Sequence, residues 1–340
     1  MKKNTELAVQ GIVDLASAFY GSAVLFAALE IDLFSVIERV GGAVPADTVA
    51  DQAKSDRRAT RLLLDACVAV GLLRKRNGLY GNTPAAAAAL VAGNACDLTK
   101  AVGYNRDVYN AWGRLGELVR SGKPVESPEL HLGDDPERTR RFVLAMRGRA
   151  LGIGRLVVPM LDLKGCRRVL DLAGGPGAYA VLMAEAHPDL TCVTVDLPAV
   201  SAAAGELVRE AGMQERVLCR AGDYHTDTYE AGHYDAATIF GALHQEPPEM
   251  IVRILKRCFA ALRPGGRVYV LDMMTDETHT CPPFSALFAL NMALTTYHGW
   301  VFSDAELYGW LSEAGFENCL TAPVPPPMPH WLVSAVKPGG

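Results

Sequence analysis

The sequence has few cysteines, and none of them belongs to a paired motif. Eight cysteines are spread over 340 residues, with no CxxC pair and no Cys/His spacing typical of a zinc site. Single cysteines in a chain of this length are more typical of small buried side chains than of disulfides. Asp223, His225 and Asp227 lie close together, but we interpret them as a solvated loop end. We therefore expect free thiols, no metal and a cytoplasmic location.

The sequence also offers little that would attract a membrane or a nucleic acid. The segment 58–73 stands out as the most apolar early stretch, but arginines and an aspartate interrupt it short of the ~20 residues that span a bilayer. No apolar region with a small-residue cleavage site follows the basic start. The formal net charge is −5, which gives no general attraction to nucleic acid or anionic lipid. We expect no membrane partner and no nucleic-acid partner.

What the chain does contain is enough apolar material for two cores. Half of its 340 residues are hydrophobic and 21% are charged, and this length exceeds the usual size of one core. Residues 5–40 and 57–73 show helical spacing of apolar residues, and Asn77-Gly78 then predicts a hairpin. Helices followed by a two-stranded wing are typical of a winged-helix unit. The acidic chain favours a dimer-forming role, and a ligand-responsive DNA-binding regulator is the alternative.

From residue 165 onward, short apolar runs alternate with helical stretches. This alternation predicts a parallel sheet that is covered on both faces. The last two runs, 317–322 and 331–337, have no helix between them and indicate a closing antiparallel pair. We therefore predict three parts, which are a winged-helix domain in 1–95, a helical cap in 96–160 and a Rossmann-like α/β domain in 161–340.

The first predicted strand leads through a glycine-rich turn into a helix, "RVLDLAGGPGAYA". Gly174, Gly175 and Gly177 let the backbone turn tightly and approach a ligand, and the next helix presents free N–H groups there. The second strand ends at Asp196, whose carboxylate suits the two hydroxyls of a ribose. Together these features predict a site for a nucleoside cofactor. A glycine turn that serves only helix–strand packing is the alternative.

Two classes of nucleoside cofactor fit this turn. "GPGAYA" satisfies the G-x-G-x-x-A pattern of dinucleotide-binding folds, and S-adenosylmethionine is the other candidate. Asp171, before the turn, suits the ammonium group of a methionine tail. Asp223 and Tyr224, after the third strand, suit the adenine amino group and ring. With the helical cap and the antiparallel closing pair, these residues favour S-adenosylmethionine.

Over nearly its whole length the chain resembles the small-molecule O-methyltransferases, which include caffeate and acetylserotonin O-methyltransferases and bacterial enzymes acting on polyketides. "AALEIDLFSVI" resembles the N-terminal helix of the family, "FVLAM" its cap helix, and "VLDLAGGPGAYAVLMAEAHPDLTCVTVDLPAV" its cofactor segment. "LHQEPPE" stands where the family has Leu-His-Asp-Trp-x-Asp-Glu. The resemblance implies a class I methyltransferase Rossmann-like sheet, parallel with a terminal antiparallel strand, and an N-terminal winged-helix dimerisation domain. It also implies a homodimeric enzyme of secondary metabolism.

The resemblance further implies roles for individual residues. His244 aligns with the general base, which is needed because a phenol is a poor nucleophile until it loses its proton. Asp272 stands where the family has the carboxylate that orients this base, and Val301 replaces a second family glutamate. The implied cofactor positions are Asp171, Gly174, Gly175, Gly177, Asp196, Leu197, Asp223, Tyr224 and Phe240, the last of which replaces a common lysine.

The segment after His244 departs from the family pattern. Gln245, Glu246 and Pro248 replace an aspartate, a tryptophan and a second aspartate. Two consecutive prolines stiffen this turn and suit the start of the next helix. The Glu246 side chain can either face the pocket and alter the choice of substrate or be solvated, and we favour the solvated position.

The implied acceptor pocket lies between the cap helices and the sheet. Its expected lining residues are Trp112, Phe142, Met146, Phe288 and Met292. Methionine and aromatic side chains suit a flat, largely apolar molecule. We therefore expect methyl transfer from S-adenosylmethionine to a hydroxyl of an aromatic or polyketide-like acceptor, with S-adenosylhomocysteine as product. Methylation of carbon or nitrogen, or a non-methylating reaction on the same scaffold, is the alternative.

Overall fold

The structure is a computed structural model that describes residues 6–94, 97–127, 136–326 and 328–339. The chain divides into two compact units, Lys2–Asp107 and Val108–Gly340. Each has its own hydrophobic core.

The first unit is helical apart from one hairpin. The predicted hairpin is confirmed, because the two strands pair antiparallel with Arg76 opposite Leu79. Asn77 and Gly78 between them take φ values of 50° and 78°, as a two-residue type I′ turn requires. The elements are α1 (Val9–Ser17), α2 (Phe19–Glu30), α3 (Leu33–Arg39), α4 (Ala46–Ala53), α5 (Arg57–Ala69), β1 (Leu73–Arg76), β2 (Leu79–Asn82), α6 (Pro84–Leu90) and α7 (Thr99–Asp107).

Helices α1 and α2 follow each other closely and expose much apolar surface. The stretch Val9–Glu30 has the length and hydropathy of a membrane-crossing helix, with a mean hydropathy of 1.8, and only 6% of it is buried. The sequence-based choice of 58–73 as the most apolar early stretch is therefore wrong. The exposed side chains include Ile12, Val13, Leu15 and Phe19. Exposed apolar side chains concentrated in one segment favour a site of association.

The second unit carries the predicted alternation of strands and helices. Its helices are α8 (Tyr109–Gly113), α9 (Leu115–Ser121), α10 (Pro136–Val157), α11 (Ala178–Ala186), α12 (Pro198–Glu210), α13 (Pro248–Ala261), α14 (Pro283–Thr295) and α15 (Asp304–Glu313). Its strands are β3 (Arg168–Leu172), β4 (Thr191–Asp196), β5 (Val217–Ala221), β6 (Tyr234–Phe240), β7 (Leu262–Asp272), β8 (Glu317–Pro323) and β9 (Trp331–Val336). Short 3₁₀ turns cover Val158–Met160 and Leu243–Gln245.

The strands form one seven-stranded sheet in the order β5-β4-β3-β6-β7-β9-β8. Strands β3 to β7 are parallel, and β9 runs antiparallel to both β7 and β8. The predicted antiparallel pair is thus confirmed, with β9 inserted between β7 and β8. The strand order reverses between β3 and β6. In sheets of this kind a ligand crevice opens at that point, outside the carboxyl ends of the strands.

Two apolar layers enclose the sheet. One contains Ile251 and Leu255 from α13 and Leu307 from α15, and the other contains Val157 from α10 and Met183 from α11. All seven residues of β6 are buried, as expected for a central parallel strand. Helix α13 begins at Pro248, where a proline replaces an N–H group that has no helical partner.

Candidate active site

A glycine turn after β3 forms the first part of the site. Gly175 and Gly177 take φ values of 53° and 69°, a left-handed conformation that glycine adopts without steric cost. Gly174 is required for another reason, because a Cβ there would lie 1.6 Å from Thr194 Oγ1 and 2.6 Å from Asp171 Oδ2. The turn therefore exposes bare backbone immediately before α11.

Asp196, at the end of β4, holds this turn in place. Its Oδ2 accepts a hydrogen bond from the Gly175 amide at 2.8 Å, and its Oδ1 accepts one from the Leu197 amide at 2.8 Å. Burial raises the pKa of Asp196, against the effect of these two amides. Each carboxylate oxygen can accept a further hydrogen bond, so Asp196 can also bind ribose hydroxyls.

Asp171, near the end of β3, is a buried carboxyl group with one oxygen unused. Oδ1 accepts a hydrogen bond from the Thr238 hydroxyl at 2.6 Å. Oδ2 has no partner of hydrogen-bond geometry among the described residues, although the Thr194 hydroxyl is close enough to lower the pKa of this carboxyl group. Asp171 is 1% exposed, and this burial raises its pKa to about 7. An unpartnered carboxylate oxygen beside the glycine turn fits a cationic ligand group, which would favour its ionised form.

Beyond β5, Tyr224 and His225 both contact Glu246. The Tyr224 hydroxyl donates to Glu246 Oε1 at 2.8 Å, and His225 Nε2 lies 3.0 Å from the same oxygen. His225 Nδ1 lies 2.9 Å from Asp223 Oδ1. Trp300 Nε1 donates to the Glu246 backbone oxygen at 2.8 Å. Glu246 is 7% exposed, so the expectation that it is solvated is wrong.

His244 and Asp272 meet at the carboxyl ends of the neighbouring strands β6 and β7. His244 Nδ1 lies 2.7 Å from Asp272 Oδ1, and the His244 amide donates to Asp272 Oδ2 at 3.3 Å. The Met273 amide donates to Oδ1 at 2.8 Å. The His244 and Asp272 side chains are only 8% and 2% exposed. Because a carboxylate only accepts, Nδ1 carries the proton of a neutral ring and leaves the lone pair on Nε2.

An aromatic ring from α14 packs against this histidine. The Phe288 ring stands edge-to-face with His244, with centroids 5.2 Å apart, and Met292 lies one helical turn further along α14 and is buried. Trp112 Nε1, on α8, donates to Asn291 Oδ1 at 2.9 Å. This hydrogen bond ties the cap to α14. Phe142 and Met146 are partly buried on α10, where their i, i+4 spacing puts them on one face.

Three further positions singled out in the sequence are packed, buried or paired in the structure. Phe240 packs edge-to-face on Tyr179, with centroids 4.9 Å apart, and Val301 is buried. Asp227 pairs with Arg220 at 3.1 Å. Within the described ranges, no group of three or more His, Cys, Asp or Glu side chains is placed to hold a metal ion. The seven described cysteines are free thiols, and Cys96 lies outside the described residues.

Sequence reasoning missed two polar residues near this site. Thr238 supplies the hydroxyl to Asp171 from the fully buried strand β6, and a threonine within the run 236–240 was the available signal. His330 is 6% exposed and immediately precedes β9. The proline-rich segment before it carries no periodic pattern, so no local signal was available.

The strand order, the glycine turn and the His–Asp pair together define a class I methyltransferase fold with a nucleoside-cofactor site. The sequence comparison agrees with this class. Residues 125–317 match the O-methyltransferase domain model and residues 13–92 match the O-methyltransferase dimerisation domain model. The chain belongs to this O-methyltransferase family.

Characterised relatives cover almost the whole chain. A 3-hydroxy-5-methyl-1-naphthoate 3-O-methyltransferase from Streptomyces sahachiroi is 33% identical over 96% of this chain and 94% of its own length. The N,N-dimethyltransferase OxyT from Streptomyces rimosus is 30% identical, with coverage of 97% and 96%. The crystal structure of human N-acetylserotonin methyltransferase in complex with SAM superposes with a TM-score of 0.86 at 25% identity, covering 100% of both chains.

Proposed function

We propose that this enzyme transfers a methyl group from S-adenosylmethionine to a hydroxyl of an aromatic or polyketide-like small molecule. The observation that carries the proposal is the buried His244–Asp272 pair, with its 2.7 Å contact, at the same sheet edge as the glycine turn. The naphthoate O-methyltransferase relative supports an aromatic hydroxyl as acceptor.

The residues around the glycine turn fit this cofactor. The free Oδ2 of Asp171 suits the ammonium group of the methionine part, and Asp196 suits the ribose. Leu197, Asp223, Tyr224 and Phe240 make up the rest of the proposed cofactor site, with Gly174, Gly175 and Gly177 giving close access to backbone. When bound, S-adenosylmethionine supplies a methyl group on a sulfonium leaving group, so the protein has to supply alignment and a proton acceptor.

His244 is the proposed proton acceptor. Asp272 accepts a hydrogen bond from the Nδ1–H group of His244. This contact fixes the tautomer in which Nε2 is free to receive the proton of the acceptor's hydroxyl. As Nε2 takes this proton, Asp272 stabilises the imidazolium that forms. Phe288 and Met292, with Trp112, Phe142 and Met146, form the proposed apolar wall for the acceptor ring.

The proposed assembly is a homodimer formed through the first domain. The apolar surface of Val9–Glu30 overlaps the dimerisation match to residues 13–92, so a second copy of the chain is the proposed cover for it. We propose boundaries at 1–95, 96–160 and 161–340 for the dimerisation, cap and catalytic parts. We further propose a cytoplasmic enzyme without a membrane or nucleic-acid partner.

Two measurements test the function. Isothermal calorimetry should show binding of S-adenosylhomocysteine and none of NAD. Assays with 2-naphthol as acceptor should show O-methylation that falls by about 10²-fold or more in His244→Ala, with unchanged binding of S-adenosylhomocysteine as the control. Binding of NAD instead, or undiminished turnover in the variant, would contradict the proposal.

Nitrogen methylation is the second candidate, because the relative OxyT is named as an N,N-dimethyltransferase. A neutral amine carries its own lone pair and needs a base less than a phenol does. Comparison of 2-naphthol with 2-naphthylamine separates the candidates. A preference for the amine, together with a methylation rate that does not change in His244→Ala, would favour nitrogen as the acceptor atom.

A further inference from the structure

His330 occupies the same sheet edge as the His244–Asp272 pair. Trp331, the first residue of β9, lies opposite Asp272 in the register of β7 and β9. Because β9 runs antiparallel to β7, its beginning lies at the carboxyl edge of the sheet. The Val324 amide donates to the His330 backbone oxygen at 2.9 Å, which fixes this position in the link between β8 and β9.

The order of the strands puts His330 on the side away from the proposed cofactor site. The residues proposed to bind the cofactor follow β3, β4 and β5, whereas β9 lies beyond β6 and β7. With roughly 4.8 Å between neighbouring strands, β9 is about 14 Å from β3. His330 therefore lies at the His244–Asp272 end of this edge, where the acceptor is proposed to bind, and Asp272 and His244 are close enough to shift its pKa.

The His330 ring has an unused nitrogen. Its side chain is buried, and Nδ1 has no hydrogen-bond partner among the described residues. Leaving a buried polar atom without a partner costs free energy that a ligand group would recover. Such an atom beside an acceptor pocket points to a polar group on the ligand.

The ring is neutral under physiological conditions. Burial lowers the pKa of His330 to about 4; Arg149 and His244 also lower it, while Asp272 opposes them. A neutral imidazole can donate from one nitrogen and accept at the other. It therefore suits an uncharged oxygen, such as a phenol hydroxyl or a carbonyl, better than a carboxylate.

We propose that His330 is a specificity residue whose Nδ1 hydrogen-bonds a second oxygen of the aromatic acceptor, in addition to the hydroxyl that is methylated. This inference rests on the proposed methyl-transfer function. It predicts that acceptors with two oxygens are preferred over matched acceptors with one. An acceptor with one oxygen leaves the buried Nδ1 of His330 without a hydrogen-bond partner and therefore binds less well.

The test compares 2,3-dihydroxynaphthalene with 2-naphthol in the full-length enzyme. Wild type should show a kcat/KM about tenfold or more higher for the dihydroxy compound. His330→Phe should abolish the preference, mainly through the KM for the dihydroxy compound, and leave kcat/KM for 2-naphthol within about twofold. His330→Asn should retain much of the preference, because its amide group lies close to the position of Nδ1. His233→Asn, at the opposite sheet edge, is the matched control and should change neither rate.

A spectroscopic measurement on the wild type does not depend on how the variants fold. In the presence of S-adenosylhomocysteine, the ¹⁵N shift of His330 Nδ1 should move when 2,3-dihydroxynaphthalene is added and remain in place with 2-naphthol. An equal loss on both acceptors in His330→Phe, no preference in the wild type, or an unmoved Nδ1 shift would overturn the inference. If the wild type methylates neither naphthol, the proposed function itself fails and this inference fails with it.

Discussion

His244 Nδ1 lies 2.7 Å from Asp272 Oδ1, and both side chains are buried at the carboxyl edge of the sheet. Asp272 also accepts hydrogen bonds from the backbone amides of His244 and Met273. The carboxylate is therefore held from two directions before any ligand binds. In the proposed mechanism, such preorganisation lets the imidazole keep one tautomer without rearrangement during proton transfer.

Replacing Asp272 with asparagine should lower kcat at least about tenfold, because the amide can donate to Nδ1 and so select the wrong imidazole tautomer. The KM for S-adenosylmethionine should stay close to that of the wild type. Steady-state kinetics with 2-naphthol measure both values. Asp162→Asn, which alters an exposed ion pair with Arg267, is the control, and equal rates for both variants would argue against an orienting carboxylate.

Gly174→Ala should destroy the cofactor site. The new Cβ would lie 1.6 Å from Thr194 Oγ1, so the turn or β4 has to move. We expect binding of S-adenosylhomocysteine to weaken by at least about tenfold in calorimetry, consistent with the cost of overpacking. Gly309→Ala adds its methyl group in open space on α15, and it should bind normally. A second substitution, Thr194→Ala, should partly restore binding to Gly174→Ala.

Asp171 should make the free energy of unfolding of the ligand-free enzyme depend on pH. Its pKa is raised by burial from 3.8 to about 7 in the folded state, so the folded state favours the protonated form. The Asp171 contribution to the free energy of unfolding is complete below about pH 4 and is lost as the pH rises through about 7. In urea titrations, the free energy of unfolding of wild type minus that of Asp171→Asn should therefore fall as the pH rises from about 4 to about 7. A difference that is flat with pH would contradict the raised pKa.

Glu246 should act on the cofactor through Tyr224, which donates to it at 2.8 Å. Glu246→Leu removes this acceptor, and the dissociation constant of S-adenosylhomocysteine should rise about fivefold, as expected for one hydrogen bond. Glu246→Gln keeps an acceptor oxygen and should bind nearly as the wild type does. Because the two variants are both uncharged and differ only in polarity at one buried position, equal binding by both would show that Tyr224 is positioned by other contacts.

The dimer should depend on the exposed face of α1. Leu15 is 65% exposed, and Leu15→Glu places a charge in the proposed interface, where desolvation is costly. Sedimentation velocity should then show a shift from dimer toward monomer at low protein concentration. Leu218→Glu is the matched control, because Leu218 is 60% exposed on β5, outside the dimerisation match. A dimer that is insensitive to Leu15→Glu would place the interface elsewhere.

Much of the second unit follows from local sequence. The alternation of apolar runs and helices predicts the parallel sheet because period and composition differ clearly between the two. The proximity of His244 and Asp272 also follows, since each residue ends or follows one of two neighbouring parallel strands. In the same way, Asn77-Gly78 specifies its turn through backbone conformation alone.

Other parts of the site depend on distant segments of the chain. The polar, proline-containing stretch around Glu246 has the composition of a solvated turn, yet Tyr224 and Trp300 cover it from 22 residues before and 54 residues after. His330 follows a proline-rich segment without periodicity, and only the pairing of Asp272 with Trp331 places it at the site. Burial of this kind is a property of the assembled sheet and has no local sequence signal.

The insertion of β9 between β7 and β8 has a consequence for biosynthesis. Strand β8 is translated before β9, yet among the described strands it joins the sheet only through β9. Until β9 leaves the ribosome, β7 keeps an open edge that can pair wrongly with other chains. The glycine turn can therefore assemble early, whereas the proposed acceptor side of the site is completed only when β9 joins the sheet.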